Sequence, residues 1–197
     1  MSVLENIETK LPFRPGDYLN TLSELESRGK GDYAAVNKLG YLGRYQMGAK
    51  ALADIGWVKP GTTNKGLKNT NNWLIGDYNS FIKDPSLQDV AAVRMLETNY
   101  DRALKTGVIN PEMQPHEVAG HLAGMHLVGL KGYKKSLAGE PIMDANKVVP
   151  SRYYNYISER LAPVKQEQAQ PVQAAPEQPW WSNPLQSGRN FLRNVFE

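Results

Sequence analysis

Glu26 and Ser27 close an apolar-faced segment, a glycine-bearing stretch follows, and Gly43-Arg44-Tyr45-Gln46 leads into the next segment. A carboxyl group so placed rests against the packed side of its own helix. Desolvation there disfavours the charged form and keeps a proton available near neutral pH. Such an acid suits protonation of a glycosidic oxygen as the bond to the departing sugar breaks. Backbone groups exposed at Gly40 and Gly43, with the Gln46 amide, are suited to holding amide-bearing sugars. Glu24 is the rival carboxylate, but two residues along a helix turn the side chains about 200° apart, so only one of the pair faces a cleft. Asp32, just after Gly31, is a possible second carboxylate, as nucleophile or water activator, and its position equally suits an ordinary turn residue.

The remaining polar candidates are few. The chain has no cysteine and 3 His, which excludes thiol catalysis, disulfide frameworks and cysteine-bound zinc. His116 and His121 are spaced by five, not the four that puts two ligands on one helical face, so no metal and no cofactor is expected. His126 stands among Ala123, Leu127 and Val128, as a cleft wall or a core residue. Tyr41, Tyr45, Tyr153, Tyr154 and Tyr156 offer surfaces on which sugars stack, though helical tyrosines mostly pack half-buried.

These residues must be positioned by a modest helical body. The Tyr18, Leu19, Leu22 and Leu25 spacing gives a helix from Gly16 to about Ser27, started by Pro15-Gly16-Asp17. Aromatic and β-branched residues punctuated by Asn37, Gly40 and Gly43 suggest a small β-hairpin between Tyr33 and Tyr45. A helix from Met47 to Ile55 follows, and then a polar surface loop between Trp57 and Trp73. Asp84-Pro85 reads as an N-cap and first helical residue, opening a helix that Gly107 closes. Its buried face runs through Leu87, Val90, Ala91, Leu96, Tyr100, Ala103 and Leu104. Further helices are expected over Pro115 to about Val128, Lys131 to Ala138 and Pro150 to Leu161.

With 197 residues and 41% hydrophobic content, one globular domain with an appendage is affordable. The division is an N-terminal arm (1–15), a mainly α domain with α+β character (16–161), a Pro/Gln-rich linker (162–179) and an amphipathic aromatic tail (180–197). Trp180, Trp181, Leu185, Leu192, Val195 and Phe196, beside Arg189 and Arg193, make that tail a candidate for partner docking. Membrane contact through two arginines would be weak. The net charge of +3 is spread rather than gathered in a basic stripe, so nucleic acid is not expected as a partner. The opening residues lack the basic and apolar regions of a secretory signal, so a role outside the cytoplasm requires another delivery route.

Four elements in order resemble a known family. Glu26-Ser27, Gly43-Arg44-Tyr45-Gln46, Met125-His126-Leu127-Val128-Gly129 and Ser151-Arg152-Tyr153-Tyr154 are similar to the Glu-Ser, Gly-x-x-Gln, Ala-His-Leu-x-Gly and Thr-Arg-x-Tyr elements of the lysozyme-like lytic transglycosylases and muramidases. The match is nearest to the small domains of bacteriophage tail and ejection proteins. Leu127 stands where the commoner Tyr-Asn version carries Asn, so that polar contact is missing or supplied by His126. The resemblance implies a lysozyme-like fold with Glu26 as the catalytic acid/base. Substrate would be contacted by Ser27, Asn37, Gly43, Tyr45, Gln46 and His126, with Tyr154 lining the cleft near Glu26. It further implies cleavage of the β-1,4 bond between N-acetylmuramic acid and N-acetylglucosamine, by an enzyme carried in a virion and acting on the host wall, with a phage tail or ejection-complex protein as partner of residues 180–197. A hydrolytic muramidase or endolysin, and a non-catalytic virion protein with a lysozyme-like binding domain, are the alternatives.

Overall fold

The computed structural model describes residue 4 and residues 7–27 and 32–163. Of the linker expected over 162–179 only Ala162 and Pro163 are described, and the aromatic tail expected over 180–197 lies outside the described residues. Residues from Met1 to Ala162 form one compact unit. Among the described residues the architecture is mainly helical: α1 (Pro15–Ser27), α2 (Ala49–Asp54), α3 (Tyr78–Lys83), α4 (Pro85–Lys105), α5 (Pro115–Leu137) and α6 (Pro150–Leu161).

The long helices begin where local chemistry dictates. Proline is the first residue of α1, α4, α5 and α6, where its missing N–H costs nothing and its fixed φ suits the helix. Asp84 caps α4 by accepting from the Ser86 N–H at 2.8 Å. Glu117 accepts from the Gln114 N–H at 2.9 Å, which closes the capping box of α5. The short α3 was not foreseen, yet its capping box, Asp77 with Ser80, is a local signal: Asp77 accepts from the Ser80 N–H and the Ser80 hydroxyl accepts from the Asp77 N–H.

α4 is the central rod. Gln88, Asp89, Ala91, Ala92, Val93, Met95 and Leu96 are all buried, so its middle is enclosed on nearly every side. Of the face expected from periodicity, Ala91, Leu96 and Ala103 are buried, while Leu87, Val90, Tyr100 and Leu104 are half-buried. α6 packs along α5 and also reaches α1. α1 buries Tyr18, Leu19 and Leu22 completely, each of the leucines contributing about 1.5–3 kcal/mol. Leu4 and Leu11 of the N-terminal arm are buried too, with Ile7 and Phe13 packed beside them, and Lys10 pairs with Asp101 at 2.6 Å. The arm is therefore part of the same core.

Two expectations are corrected. The hairpin between Tyr33 and Tyr45 is absent; single bridges Val36–Leu42 and Leu42–Met47 stand in its place. Left-handed backbone at Gly40 (φ 80°), Gly43 (φ 72°) and Gln46 (φ 48°) reverses the chain too often for a ladder to extend. The two aromatic residues that mimic strand composition, Tyr33 and Tyr45, pack on α4 instead. The polar loop from Trp57 to Trp73 contains two 3-10 turns, Lys65–Lys68 and Thr70–Asn72. It buries Leu67 and Trp73, whose indole donates to the Leu67 carbonyl at 2.7 Å. The two helical runs expected on either side of Gly129 are present, numbered together as α5, and they meet at a kink where Gly129 takes φ 70°, ψ 165°, a conformation open essentially to glycine alone.

The tightest approach is at Gly43. A Cβ there would lie 1.8 Å from the Gln88 amide oxygen. Gly43→Ala should therefore lower stability by roughly 3 kcal/mol, combining left-handed strain with disruption of buried hydrogen bonds. Gly61→Ala has the same backbone sign (φ 83°) but nothing within 4 Å, and should cost about 1 kcal/mol. Denaturant unfolding of the two variants measures the difference.

Candidate functional site

Glu26 lies in the last turn of α1 with its side chain 15% exposed, and His126 of α5 lies against it, 10% exposed, with Nε2 3.1 Å from Glu26 Oε1. The Tyr153 hydroxyl of α6 donates to the same oxygen at 3.0 Å. Three helices thus meet at one carboxylate. Burial, and then the charge of Glu26, push the Tyr153 phenol far above its ordinary ionisation range, so it stays neutral and remains a donor. Both contacts fall on Oε1; among the described residues Oε2 has no partner.

Glu24 is held elsewhere. It accepts from the Tyr156 hydroxyl at 2.7 Å, and Arg160 lies 3.7 Å from the same oxygen. The helical turn between the two glutamates gives them different tyrosines of α6, and only Glu26 meets His126.

His126 and Gln46 line a cleft of about 660 Å³, a volume typical of small-ligand sites. Its walls come from the Gly43–Gly48 turn, α2, the middle of α4 and the kinked part of α5; Asn99 and Thr98 add polar groups. The kink at Gly129 presents residues 126–131 consecutively to this space. Gln46 holds a left-handed backbone, φ 48°, at the cleft edge, the kind of strain that persists where surroundings over-determine it. Its side-chain amide donates to the Gly43 carbonyl at 2.8 Å, leaving its own carbonyl oxygen without a described partner. A second cavity, about 420 Å³, lies beside Phe13, Asp17 and His116. Its carboxylate, Asp17, lies 3.8 Å from Arg14.

Several residues expected at the site have other duties. Tyr45 is fully buried and donates to Asp89 at 2.7 Å, so it presents no surface to a ligand. Tyr154, expected beside Glu26, packs edge-on against His121 at 4.9 Å and over Gly120, and it is Tyr153 that faces the carboxylate. Asn37 is exposed, and its side chain accepts from the Leu39 and Tyr41 N–H groups at 2.8 and 3.1 Å, bracing its own turn. Gly43 contributes through its carbonyl to Gln46 and through its missing side chain to Gln88. Asp32 is exposed and accepts from the Ala34 N–H at 2.8 Å, the turn arrangement that was its alternative reading. Ser27 ends α1, and its side chain lies outside what the structure describes. Among the described residues no group of three or more His, Asp or Glu is arranged to hold a metal ion.

Sequence reasoning missed the polar pair that carries the turn. Gln88, fully buried, accepts from the Arg44 N–H at 3.0 Å and donates to the Tyr33 and Phe81 carbonyls, each at 2.8 Å. Asp89 accepts from the Tyr33 and Tyr45 hydroxyls at 2.9 and 2.7 Å. Arg44 completes the network by donating to Tyr33, Asn20 and Ser23. A polar pair inside an otherwise small and apolar stretch, Val90-Ala91-Ala92-Val93, was the available signal.

No protein-family model matches the chain, and no significant similarity is found to a curated protein or to a solved structure.

The geometry assigns Tyr45 to stability alone. Tyr45→Phe should cost about 1–2 kcal/mol in unfolding free energy by removing a buried hydrogen bond to a charged group. Ligand affinity in the cleft should be unchanged, read by titration of the folded variant.

Proposed function

We propose that this chain is a peptidoglycan-cleaving lytic transglycosylase with a lysozyme-like fold, acting on the β-1,4 bond between N-acetylmuramic acid and N-acetylglucosamine. The observation that carries the reading is a carboxylate 15% exposed, with its described contacts on one oxygen, touching a histidine that lines a sugar-sized cleft. Glu26, His126 and Tyr153 meet at one oxygen, and His126 lines the same cleft as Gln46; the four residues come from the four segments that resemble the family.

In the acid form, the doubly contacted Oε1 takes the carbonyl role and the proton sits on Oε2. That proton passes to the glycosidic oxygen as its bond to the anomeric carbon breaks, worth roughly 10²–10⁴-fold in rate. The substrate's own acetamido oxygen bonds to the anomeric carbon from the other face. Glu26, now a carboxylate, takes the proton of the 6-hydroxyl. The 6-oxygen then bonds to the anomeric carbon, the acetamido oxygen leaves, and an anhydro ring closes without uptake of water. Glu26 is returned to its acid form.

Transglycosylation is favoured over hydrolysis by what the other carboxylates do. Asp32 is engaged in its turn. Asp54, which lines the cleft, accepts from Arg102 at 2.8 Å and pairs with Lys50 at 3.2 Å. The Arg102 hydrogen bond holds its carboxyl below the usual aspartate range, which makes it a poor base for activating water.

The biological setting we propose is a phage virion opening the host wall during genome entry, with residues 180–197 attaching the domain to a tail or ejection-complex protein. Peptidoglycan is the partner of the cleft.

Glu26→Gln should abolish cleavage of purified sacculi with unfolding midpoint near that of the parent, while Glu24→Gln remains active; the reverse pattern would move the acid by two residues. Mass spectrometry of the soluble fragments should find 1,6-anhydromuramic ends, and a majority of reducing ends would make the enzyme a muramidase. Truncation after Ala162 should preserve sacculus cleavage and abolish particle incorporation, measured by infectivity and immunoblotting of purified virions.

A further inference from the structure

The cleft is charged on its rim in a way that proton transfer does not require. Lys50 from α2, Arg102 from α4 and Lys131 from α5 all line it, and Asp54 is the carboxylate among the lining residues. Asp54 binds both Lys50 and Arg102, so one negative charge faces two positive ones. Lys131 is exposed and has no carboxylate within ion-pair distance among the described residues. The Lys50 side chain is 88% exposed, so it can leave Asp54 at little cost, since exposed ion pairs are worth about 0–1 kcal/mol. Arg102 is anchored by its short contact to Asp54 and has a fork of further donors.

A glycan of N-acetylglucosamine alone is neutral and gains nothing from these cations. A wall glycan carries carboxylates at intervals, either on the lactyl ether of the sugar itself or on the peptide attached through it. We propose that Lys50, Arg102 and Lys131 form a carboxylate-binding rim that selects strands with acidic substituents over neutral strands of the same length. This rests on the glycan-cleaving reading of the cleft and names its specificity determinants. Lys50 and Arg102 meet at one oxygen of Asp54 and Lys131 comes from α5, so the strand meets a paired cationic cluster and a separate lysine. Field focusing between low-dielectric walls strengthens the effect.

The test uses the full chain carrying Glu26→Gln, so that bound strands are not cut. Isothermal titration compares the N-acetylglucosamine hexamer, a peptide-free glycan hexamer with lactyl carboxylates, and a peptide-bearing glycan hexamer. An acidic strand should bind roughly tenfold more tightly than the neutral one at low salt, as expected for two or three exposed ionic contacts. Whichever acidic strand shows the gain identifies the carboxylate. The preference should shrink at high ionic strength. It should be lost in Lys50→Gln/Lys131→Gln and kept in Lys50→Arg/Lys131→Arg; both sites are exposed, so the fold is retained. Equal affinity for neutral and acidic strands, with sacculi still cut by the unsubstituted protein, would overturn the rim and leave the glycosidase reading intact. Failure of all three strands to bind, with sacculi uncut, would overturn both.

Discussion

Everything near the cleft depends on the amide of Gln88 finding backbone to bind. Gln88 sits in the buried middle of α4, where an unpaired amide would cost about 1–3 kcal/mol, and its partners are the Arg44 N–H and the carbonyls of Tyr33 and Phe81. That demand brings the 33–46 segment close enough that no side chain fits at Gly43. Asp89, the next residue, adds two phenols to the same segment. A buried polar network of this kind rigidifies when every member is satisfied and is worse than an apolar core when half satisfied. Its near-complete pairing therefore fixes the turn, and through the turn the strained Gln46 at the cleft edge.

Legibility in the sequence followed the locality of the signal. Helices with proline at their first position declared their starts, and Pro150–Leu161 was readable at both ends. The Gly129 break was visible because a glycine interrupts two apolar-faced runs. Segments held by distant partners were not legible. Tyr33 and Tyr45 have strand composition, but their hydroxyls answer to Asp89, more than forty residues away. Apolar periodicity is blind to Gln88 and Asp89 because it scores polar residues as surface.

The grouping of the candidate site's residues was legible to within a residue or two, for a geometric reason. Motif matching found Glu26 and the neighbourhood of His126, whose contact at 3.1 Å joins residues a hundred positions apart. It placed the α6 tyrosine one position too far along. A single step on a helix rotates a side chain by about 100°, so Tyr154 points to His121 while Tyr153 points to Glu26. Sequence order carries no information on that rotation until the helix is packed.

α6 therefore does more than complete the core. Its residues Tyr153 and Tyr156 are three apart, on one face, and they meet Glu26 and Glu24 respectively. Glu24 is left beside Arg160, whose guanidinium also stacks 3.5 Å from the Tyr156 ring centroid. Glu26 receives a neutral phenol and an imidazole on one oxygen, and among the described residues the other oxygen has no partner. On the proposed reading the acid must give up a proton and recover it within one turnover. A carboxyl group with one oxygen pinned and the other free can do both without turning. On that reading, the difference between a surface carboxylate and a proton donor, two residues apart in one helix, is set by which face of α6 each one meets and by His126, which contacts Glu26 and not Glu24.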